Sequence, residues 1–532
     1  MLILAVTLLV ASVVAQDEGE PQSRVFGSLH GGVFEGSIET GSGHSLYVER
    51  AEKFFNDSRP FHSVLYSSAD LDFPAGGRWC GLHGRTEEWM MDILRRNRLK
   101  PPSKVPLVKR SWAGRRLQAA TIGSAGDEDD SDDVMRVAGG ADGKDDEDSA
   151  MVQPDEHYND EEQQNNDVED DDHTLEDGED TQPDEDEEDS DDRKTKKKQV
   201  RRRGASISHR VCNLEMIVDN TLFDSVLQHV SNVPKARELL ASIIAQTVDK
   251  VNSIYGSTNF KGIEDVHFVV QHIVMGEPGD CVGYKAKHDP LCSTSLDAAY
   301  TLYLASLSRH DDYCLSYRLN YRDFSDGTLG LAWIASGEAA SGGICERYRM
   351  AVERHPGTGL YKQAKMSLNT GITTLINHRQ YVGMLVAALT LAHEIGHSFG
   401  APHDSGSLCE PSGPDGKYLM YESATKGDKP NNSRFSSCSI GNISRILVPF
   451  FKGQLPREMC FQRHSGPICG NQIVEGTEEC DCGENEAECT DKCCYPRRSF
   501  DTKHGCRLKS FAKCRQAPRS SAHLRDSATC SH

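Results

Sequence analysis

Apolar and polar positions alternate in one region of the chain and follow helical spacing in another. The segments VFGSLHGGVFEGSIET (25–40) and HSLYVER (44–50) alternate the two kinds of side chain and carry glycines, which predicts strands joined by hairpins. The later segment LFDSVLQHVSNVPKARELLASIIAQTVDKVNSIY (222–255) repeats apolar residues every three or four positions, which predicts helix. We therefore expect a small β-rich region followed by an α/β region.

Residues 212–460 continue with both patterns. The segments IEDVHFVVQHIVM, YCLSYRLNYRD and GTLGLAWIA predict strands, whereas YVGMLVAALTLAHEIGHSFG is apolar on nearly every side and predicts a buried helix. We expect GTLGLAW (327–333) to be an exposed edge strand on which an extended peptide can pair; an ordinary edge strand is the compatible alternative. This alternation is typical of an α/β sandwich.

The two ends of the chain differ from this middle part. The opening run MLILAVTLLVASVVAQ predicts a signal peptide cleaved after Ala15, and a buried N-terminal segment is the alternative. No later apolar run is long enough to cross a bilayer, so we expect no transmembrane anchor in this chain and a secreted protein. Beyond Cys469 the periodicity stops, and a segment rich in Cys, Gly and acidic residues indicates a fold held by disulfides.

The net charge of −22 belongs to one segment of the chain. Residues 126–192 hold 33 Asp and Glu against two basic residues, and their few apolar side chains predict disorder. The basic run RKTKKKQVRRRG follows directly and has two interpretations, nucleic-acid or heparin binding and a processing site for a basic-specific protease. Its position upstream of a cysteine-rich region favours processing near Arg203, with RRNR (95–98) and VKR (108–110) as alternative cut sites, and we expect no nucleic-acid partner.

The 18 cysteines predict an oxidising compartment and leave one residue apart from the rest. Eight cysteines between positions 212 and 460 can pair among themselves, so Cys80, in GGRWCGLHG, lies outside them. Because a thiolate is a good zinc ligand, Cys80 can occupy the position that water needs and keep a zinc enzyme latent. A bridge to Cys530 is the alternative, since the last cysteine cluster is also odd in number.

The run HEIGHSFGAPHD provides the residues of the zinc site that a Cys80 thiolate would block. In a helix His393 and His397 lie one turn apart and can reach one metal, while Glu394 beside them can take a proton from metal-bound water. Gly400 lets the chain turn sharply, so that His403 can return as the third ligand. Three histidines with one open position are the ligand set of catalytic zinc, in its metzincin form.

Three further features surround this motif. Met420, in KYLMYES, has the order and distance of a Met-turn below the zinc site. Asp404 directly follows His403 and can orient either that histidine or the local backbone; a plain surface acid is the alternative. The segment from Ile468 to Asp481 offers clustered oxygen donors that suit calcium, with a solvated acidic loop as the alternative. Those donors are Asn471, Glu475, Glu478 and Asp481.

The motifs HEIGHSFGAPHD, YLMY and ICGNQIVEGTEECDCG resemble the ADAM metalloproteases. The segments HDDYCLSY, RDFSDGTLGLAW, SLNTGI and FSSCSIGNIS are similar to its Kuzbanian-like branch, and GGVFEGSIETGSGHSLYVERAEKFF is similar to its prodomain. The resemblance implies a zinc endopeptidase made as a zymogen, which sheds the ectodomains of cell-surface proteins, including Notch-type receptors. It also implies zinc binding by the three histidines, with Glu394 as the general base.

The resemblance further implies specific disulfides and calcium ligands. It pairs Cys212 with Cys314, Cys345 with Cys460 and Cys409 with Cys438, while Cys281–Cys292 is an extra bridge outside the family pattern. It places calcium at Asn471, Glu475, Glu478 and Asp481, together with the backbone oxygens of Ile468 and Ile473. The disintegrin-like segment ends early and the acidic insert is unusual for the family, so we expect a soluble variant or an incomplete chain.

These observations predict a multidomain protein with an α/β metzincin catalytic domain. The expected order is a signal peptide (1–15), a β-rich prodomain (16–125), the acidic insert with the processing site (126–203), the catalytic domain (204–464) and a truncated disintegrin-like segment (465–532). A latent zinc endopeptidase acting on protein substrates is the first hypothesis. There are two alternatives. The chain is an adhesion or decoy module, or it is a fragment that fails to mature because of its odd cysteine count.

Overall fold

The computed structural model describes residues 24–98, 210–510 and 512, except for short gaps. These gaps are 31, 41–44, 56–59, 72–79, 277–278, 284–286, 338–339, 356–357, 464–465, 490, 500–504 and 511. The predicted signal peptide, the acidic insert, the basic run with Arg203, and Cys530 lie outside the described residues.

The N-terminal region forms an antiparallel sheet, as the alternating pattern predicts. Its four strands pair in sequence order, and Tyr47 and Tyr66 stack on its buried face with ring centroids 5.5 Å apart. The strands are β1 (Arg24–His30), β2 (Val33–Glu39), β3 (Ser45–Arg50) and β4 (Ser63–Ser67). The predicted β-rich N-terminal region is thereby confirmed.

A helix that the sequence analysis did not identify follows this sheet. Helix α1 (Gly84–Arg96) buries Trp89, Met90, Ile93 and Leu94. These positions share one face only in a helix, because their spacing of four follows the 3.6-residue period. The helix therefore adds a second layer to a region that we expected to consist of strands.

The second sheet has five strands, which are β5 (Val211–Val218), β6 (His267–Met275), β7 (Leu315–Asn320), β8 (Gly330–Ala332) and β11 (Thr370–Thr374). Their order in the sheet is β6-β5-β7-β11-β8. All pairs are parallel except that of β8 with β11, so β8 is an antiparallel edge strand, as expected for GTLGLAW. The expectation that this strand is exposed is wrong, because all three of its residues are buried and the Gly81 N–H donates to the Gly330 carbonyl. Two antiparallel pairs lie beside it: β9 (Arg349–Arg354) with β10 (Tyr361–Met366), and β12 (Ile376–Asn377) with β13 (Gln380–Tyr381).

The long helical pattern near residue 222 folds as two helices. The first ends at Ser231, whose φ of 50° is left-handed, and the side chain of Asn232 accepts the Lys235 N–H to cap the second. The helices after α1 are α2 (Asn220–Val230), α3 (Val233–Gly256), α4 (Ala298–Ser306), α5 (Met384–Ser398) and α6 (Ser437–Phe451). Among the described residues, none of the helices combines the length and apolarity needed to cross a membrane.

Helix α5 lies at the centre of the α/β core. Every one of its residues is buried, which explains why its sequence is apolar on all sides. It packs against α3, where the Tyr255 hydroxyl donates to the Ala392 carbonyl at 3.0 Å, and against strands β8 and β11. The mixed α/β fold class is confirmed, and the helix with the zinc motif is wholly buried in it.

Disulfides cross-link the α/β region and, separately, the C-terminal segment. The structure contains Cys212–Cys314, Cys281–Cys292, Cys345–Cys460 and Cys409–Cys438, the same four pairs that the sequence analysis named. The C-terminal segment adds Cys469–Cys506, Cys480–Cys494 and Cys482–Cys489, and in the described part of the chain Cys493 stays unpaired. This segment has little regular structure, so its shape depends on bridges.

Candidate active site

The zinc motif brings three imidazoles to one point. His393 and His397 are one turn apart on α5, and their Nε2 atoms are 3.1 Å from each other. Gly400 has a φ of 99°, a backbone conformation that favours glycine, and the chain turns back after it. This turn brings the His403 ring to within 5.3 and 4.9 Å of the His393 and His397 ring centroids.

Backbone carbonyl groups orient two of the three rings. The Nδ1 of His393 lies 2.7 Å from the Leu419 carbonyl oxygen, and the Nδ1 of His397 lies 2.7 Å from that of Ala401. A carbonyl only accepts, so each Nδ1 must carry the proton and each Nε2 presents a lone pair. The Nε2 of His403 is buried without a hydrogen-bond partner. Three converging lone pairs fit a divalent metal that prefers nitrogen ligands.

Burial keeps these imidazoles neutral. It lowers the pKa of His393 to about 4 and that of His403 to about 3. For His397, burial and the two neighbouring histidines lower the pKa well below its ordinary value. Neutral imidazole is the form that binds metal, so the cluster is ready to act as a ligand set at physiological pH.

Glu394 faces the same space from the neighbouring helical position. It is fully buried, its Oε1 has no hydrogen-bond partner, and burial raises the pKa of its carboxyl well above the usual range. Strand β8 runs very close to it, since a Cβ added at Gly330 would lie 2.6 Å from the Glu394 Cγ and Oε1. A side chain at position 330 would therefore displace the carboxylate.

Cys80 closes the cluster from the N-terminal region. Its Sγ lies 3.4 Å from the His397 Nε2 and 3.7 Å from the Glu394 Oε2, and it forms no disulfide. The adjoining backbone is fixed to the edge strand, because the Gly81 N–H donates to the Gly330 carbonyl at 2.8 Å. The ligand atoms of Cys80 and the three histidines all lie within 4.8 Å of one another. A tetrahedral metal site needs four ligand atoms as close as these.

Met420 lies in a turn directly below the histidines. It is fully buried, and a Cβ added at Gly396 would meet its Sδ at 2.4 Å. Its carbonyl accepts the Asp404 N–H at 2.8 Å. The Asp404 carboxylate accepts from the hydroxyls of Ser436 and Ser439 at 2.5 and 2.7 Å, so this acid fixes the loop after His403 to the start of α6.

The proposed calcium ligands lie in one loop, and their oxygens bind backbone amides there. The Asp481 Oδ2 accepts from the Gly470 and Asn471 N–H groups, and the Glu475 Oε2 accepts from the Ile468 N–H. The Glu478 Oε2 accepts from the Glu475 N–H. The Asn471 Oδ1 accepts from the Ile473 N–H. These bonds organise the loop around its acidic side chains.

Sequence reasoning missed the groups that orient the histidines and leave room for Glu394. Gly330 and the carbonyls of Leu419 and Ala401 carry no functional side chain, so no residue type marks them. Arg203 lies outside the described residues.

Comparison with known proteins identifies close relatives. A family model described as Metallo-peptidase family M12B Reprolysin-like matches residues 238–448. The disintegrin and metalloproteinase domain-containing protein 10 homolog of Caenorhabditis elegans is 33% identical over 536 residues, which cover 93% of this chain and 48% of that protein. Disintegrin and metalloproteinase domain-containing protein 10 of Homo sapiens is 32% identical over 491 residues, covering 90% of this chain and 50% of that protein.

The chain spans about half the length of these relatives. A second protein of Caenorhabditis elegans, the disintegrin and metalloproteinase domain-containing protein 17 homolog, is 34% identical to this chain over 201 residues. The match covers 34% of this chain and 27% of that protein. The similarity to the first two proteins covers at least 90% of this chain, whereas that to the third covers only 34%. The chain thus belongs to the ADAM metalloproteases, in the Kuzbanian-like branch represented by disintegrin and metalloproteinase domain-containing protein 10.

Proposed function

We propose that this chain is the latent precursor of a zinc endopeptidase. The observation that carries the proposal is the enclosed cluster in which the Cys80 thiol, from the N-terminal region, meets three histidine nitrogens. A free thiol beside three neutral imidazoles gives a closed four-ligand site. Withdrawal of the thiol opens the position that catalysis requires.

His393, His397 and His403 would hold the zinc. Their neutral rings, the two carbonyl-bound Nδ1 atoms and the unpartnered Nε2 of His403 support this assignment. Zinc, when bound, supplies Lewis-acid polarisation of the scissile carbonyl and makes water more acidic.

Glu394 moves the proton. Its unpartnered Oε1 accepts a proton from the attacking water, and the same carboxyl then gives that proton to the leaving amine. Met420 supports the histidines from below as the Met-turn. Gly330 keeps strand β8 close without crowding the carboxylate, and the same edge strand offers backbone groups to an extended peptide.

Removal of the N-terminal region would activate the enzyme. The basic run ending at Arg203 lies between Cys80 and the catalytic region, and a cut there by a basic-specific protease separates the thiol from the histidines. The apolar N-terminus and the disulfides support passage through the secretory pathway.

The substrates would be proteins, and among them the ectodomains of cell-surface proteins, including Notch-type receptors. This part of the proposal rests on membership of the Kuzbanian-like branch and on the enclosed peptide-hydrolysis site. Calcium is a second proposed cofactor, bound in the loop from Ile468 to Asp481. Its test is unfolding temperature with calcium or with a calcium-selective chelator, compared with an Asp481→Asn variant.

The test of the proposed function separates metal binding from catalysis. Glu394→Gln keeps the size of the side chain but cannot accept the proton, so we expect zinc near one per chain and peptide cleavage at least about 100-fold lower after the cut. Zinc content is measured by atomic spectroscopy and cleavage with a peptide library. An active Glu394→Gln enzyme would overturn the assignment.

A further inference from the structure

The N-terminal region contacts the zinc helix at a second place, far from Cys80. Glu49, on strand β3, is buried to 1% exposure although it carries a carboxylate. A buried carboxylate is strongly unfavourable unless hydrogen bonds surround it, so its partners need an explanation.

Four donors surround the Glu49 carboxylate. Its Oε1 accepts the Met384 N–H at 2.9 Å and a hydrogen bond from the Tyr66 hydroxyl. Its Oε2 accepts the Tyr381 hydroxyl at 2.6 Å and the Lys53 ammonium at 3.4 Å. Tyr66 and Lys53 belong to the N-terminal region, whereas Met384 and Tyr381 belong to the catalytic region. The carboxylate therefore joins the two regions.

Met384 is the first residue of helix α5, and this helix has no cap of its own. The N-cap position is Gly383, which offers no side chain to accept the free amide hydrogens of the first turn. A negative charge at that end also stabilises the helix through its dipole. Glu49 thus supplies from the N-terminal region the cap that the catalytic region lacks.

The two contacts lie at different points along one helix. Cys80 reaches Glu394 and His397, whereas Glu49 reaches Met384. At 1.5 Å per residue, about 15 Å of helix separates Met384 from Glu394. The two contacts share no residue.

We propose that Tyr381 and the N-terminus of α5 form a docking surface for the Glu49 carboxylate, which anchors the N-terminal region independently of Cys80 and holds the first turn of the zinc-motif helix. The proposed regulatory role of this contact rests on the proposed function, that of a latent enzyme precursor. A cut at the basic run alone would then leave the fragment bound until this second contact also opens.

The chain provides a matched control. Glu39 also reaches across from the N-terminal region, where its Oε1 lies 3.2 Å from the Lys250 ammonium, but its side chain is 37% exposed and pairs with α3. Glu49→Ala and Glu39→Ala each remove one acidic contact between the same two regions. Only the first removes the cap of α5.

The experiment measures structure and association, not cleavage. In the uncut full chain, hydrogen exchange of the peptide covering 382–391 should be about tenfold faster in Glu49→Ala than in wild type, and within twofold of wild type in Glu39→Ala. After a single cut near Arg203, the N-terminal fragment should leave the Glu49→Ala protein about tenfold sooner on size-exclusion chromatography. Equal exchange and equal dissociation in the two variants would overturn the proposal.

A second variant covers a folding failure of Glu49→Ala. Tyr381→Phe removes one donor from the catalytic side and leaves the N-terminal sheet intact, so it should accelerate both processes by about threefold or more. No change in Tyr381→Phe, with Glu49→Ala unfolded, would also overturn the proposal. These readouts need no proteolytic activity, so a failure of the proposed enzyme function would show separately, as an inactive protein with a normally anchored fragment.

Discussion

The Cys80 sulfur lies 3.7 Å from the Glu394 Oε2, although the two residues are 314 positions apart in the sequence. The same sulfur lies 3.4 Å from the His397 Nε2. One atom of the N-terminal region therefore lies between the proposed general base and a proposed zinc ligand. Occupation of this space by the thiol excludes a substrate carbonyl and its attacking water.

Replacement of Cys80 should raise the activity of the uncut precursor. Cys80→Ser removes the thiolate ligand and leaves Glu49 bound, so we expect cleavage of a small peptide by the uncut chain to rise at least about tenfold, and to stay below that of the cut enzyme. Ser67→Ala, on the surface of the same region, is the control and should not differ from wild type. If the uncut Cys80→Ser chain is as inactive as wild type, Cys80 does not keep the precursor latent.

Gly330 should control the position of Glu394. A methyl group at this site would lie 2.6 Å from the Glu394 Cγ and Oε1, so Gly330→Ala must push the carboxylate aside. We expect turnover by the cut enzyme to fall at least about tenfold with zinc content unchanged, because misplacement of a general base weakens proton transfer. Gly413→Ala is the control, since no atom lies within 4 Å of its added Cβ. Equal turnover in the two variants would refute this role.

Gly396 should be a stability position because of Met420. An alanine Cβ there would lie 2.4 Å from the Met420 Sδ, in a fully buried contact, and we expect Gly396→Ala to lower the free energy of unfolding by about 1–3 kcal/mol. Met420→Ala makes room, so the double variant should lose less than the sum of the two single losses. Urea unfolding of all four proteins measures this coupling, and strictly additive losses would argue against the contact.

His272 lies where the catalytic sheet meets the acidic C-terminal segment. The Glu215 carboxylate, whose Oε1 lies 3.9 Å from the His272 Nδ1, raises the pKa of His272 above its ordinary value of 6.5, and the charges of Glu488 and Glu484 add to this effect. The Tyr313 hydroxyl lies 3.2 Å from the His272 Nδ1. A raised histidine pKa stabilises the fold fully below pH 6.5, and that contribution is lost as the pH rises through the folded-state pKa.

The ionisation of Glu215 determines the lower end of the pH range in which both groups stabilise the fold. Burial raises the pKa of Glu215, but the nearby His272 and hydrogen bonds from His310 and Ser316 bring it down to about 2. The carboxylate therefore contributes above pH 4.5, and both contributions are present between pH 4.5 and 6.5.

The pH dependence of His272 can be measured by unfolding temperature. His272→Gln should remove about 1–2 °C of the decrease that wild type shows between pH 6 and pH 8. His229→Gln, at an exposed histidine of α2, is the control and should keep the wild-type slope. Identical slopes in all three proteins would rule out the contribution of His272.

Local patterns in the sequence predicted most of the elements near the site. Alternation predicted the strands of the N-terminal sheet, and an apolar run ending in HEIGH predicted α5, because each pattern has the period of its own structure. The break between α2 and α3 escaped this reasoning, since Ser231 and Asn232 interrupt the helix without interrupting the apolar spacing. Helix α1 escaped it because the five apolar residues within WMMDIL form a run too short to show a helical repeat.

Long-range contacts could be predicted only where a residue type has a specific chemical role, such as metal binding. Cys80 stood out as a thiol in a chain with a zinc motif, whereas Gly330 and Glu49 carry no such mark. Glu49 is one acidic residue in an alternating strand, and only the fold shows that it caps a helix more than 300 positions later. The sequence of the loop from Ile468 to Asp481 indicated clustered oxygens, but not that backbone amides bind them.

Zinc content and peptide cleavage, measured on the same preparation before and after a cut at the basic run, test the account most directly. We predict about one zinc per chain in both states, cleavage only after the cut and departure of the N-terminal fragment, and loss of cleavage on chelation with recovery when zinc is restored. A chain that binds no zinc at the three histidines, or one that holds zinc and still cleaves no peptide after the fragment has left, would contradict it.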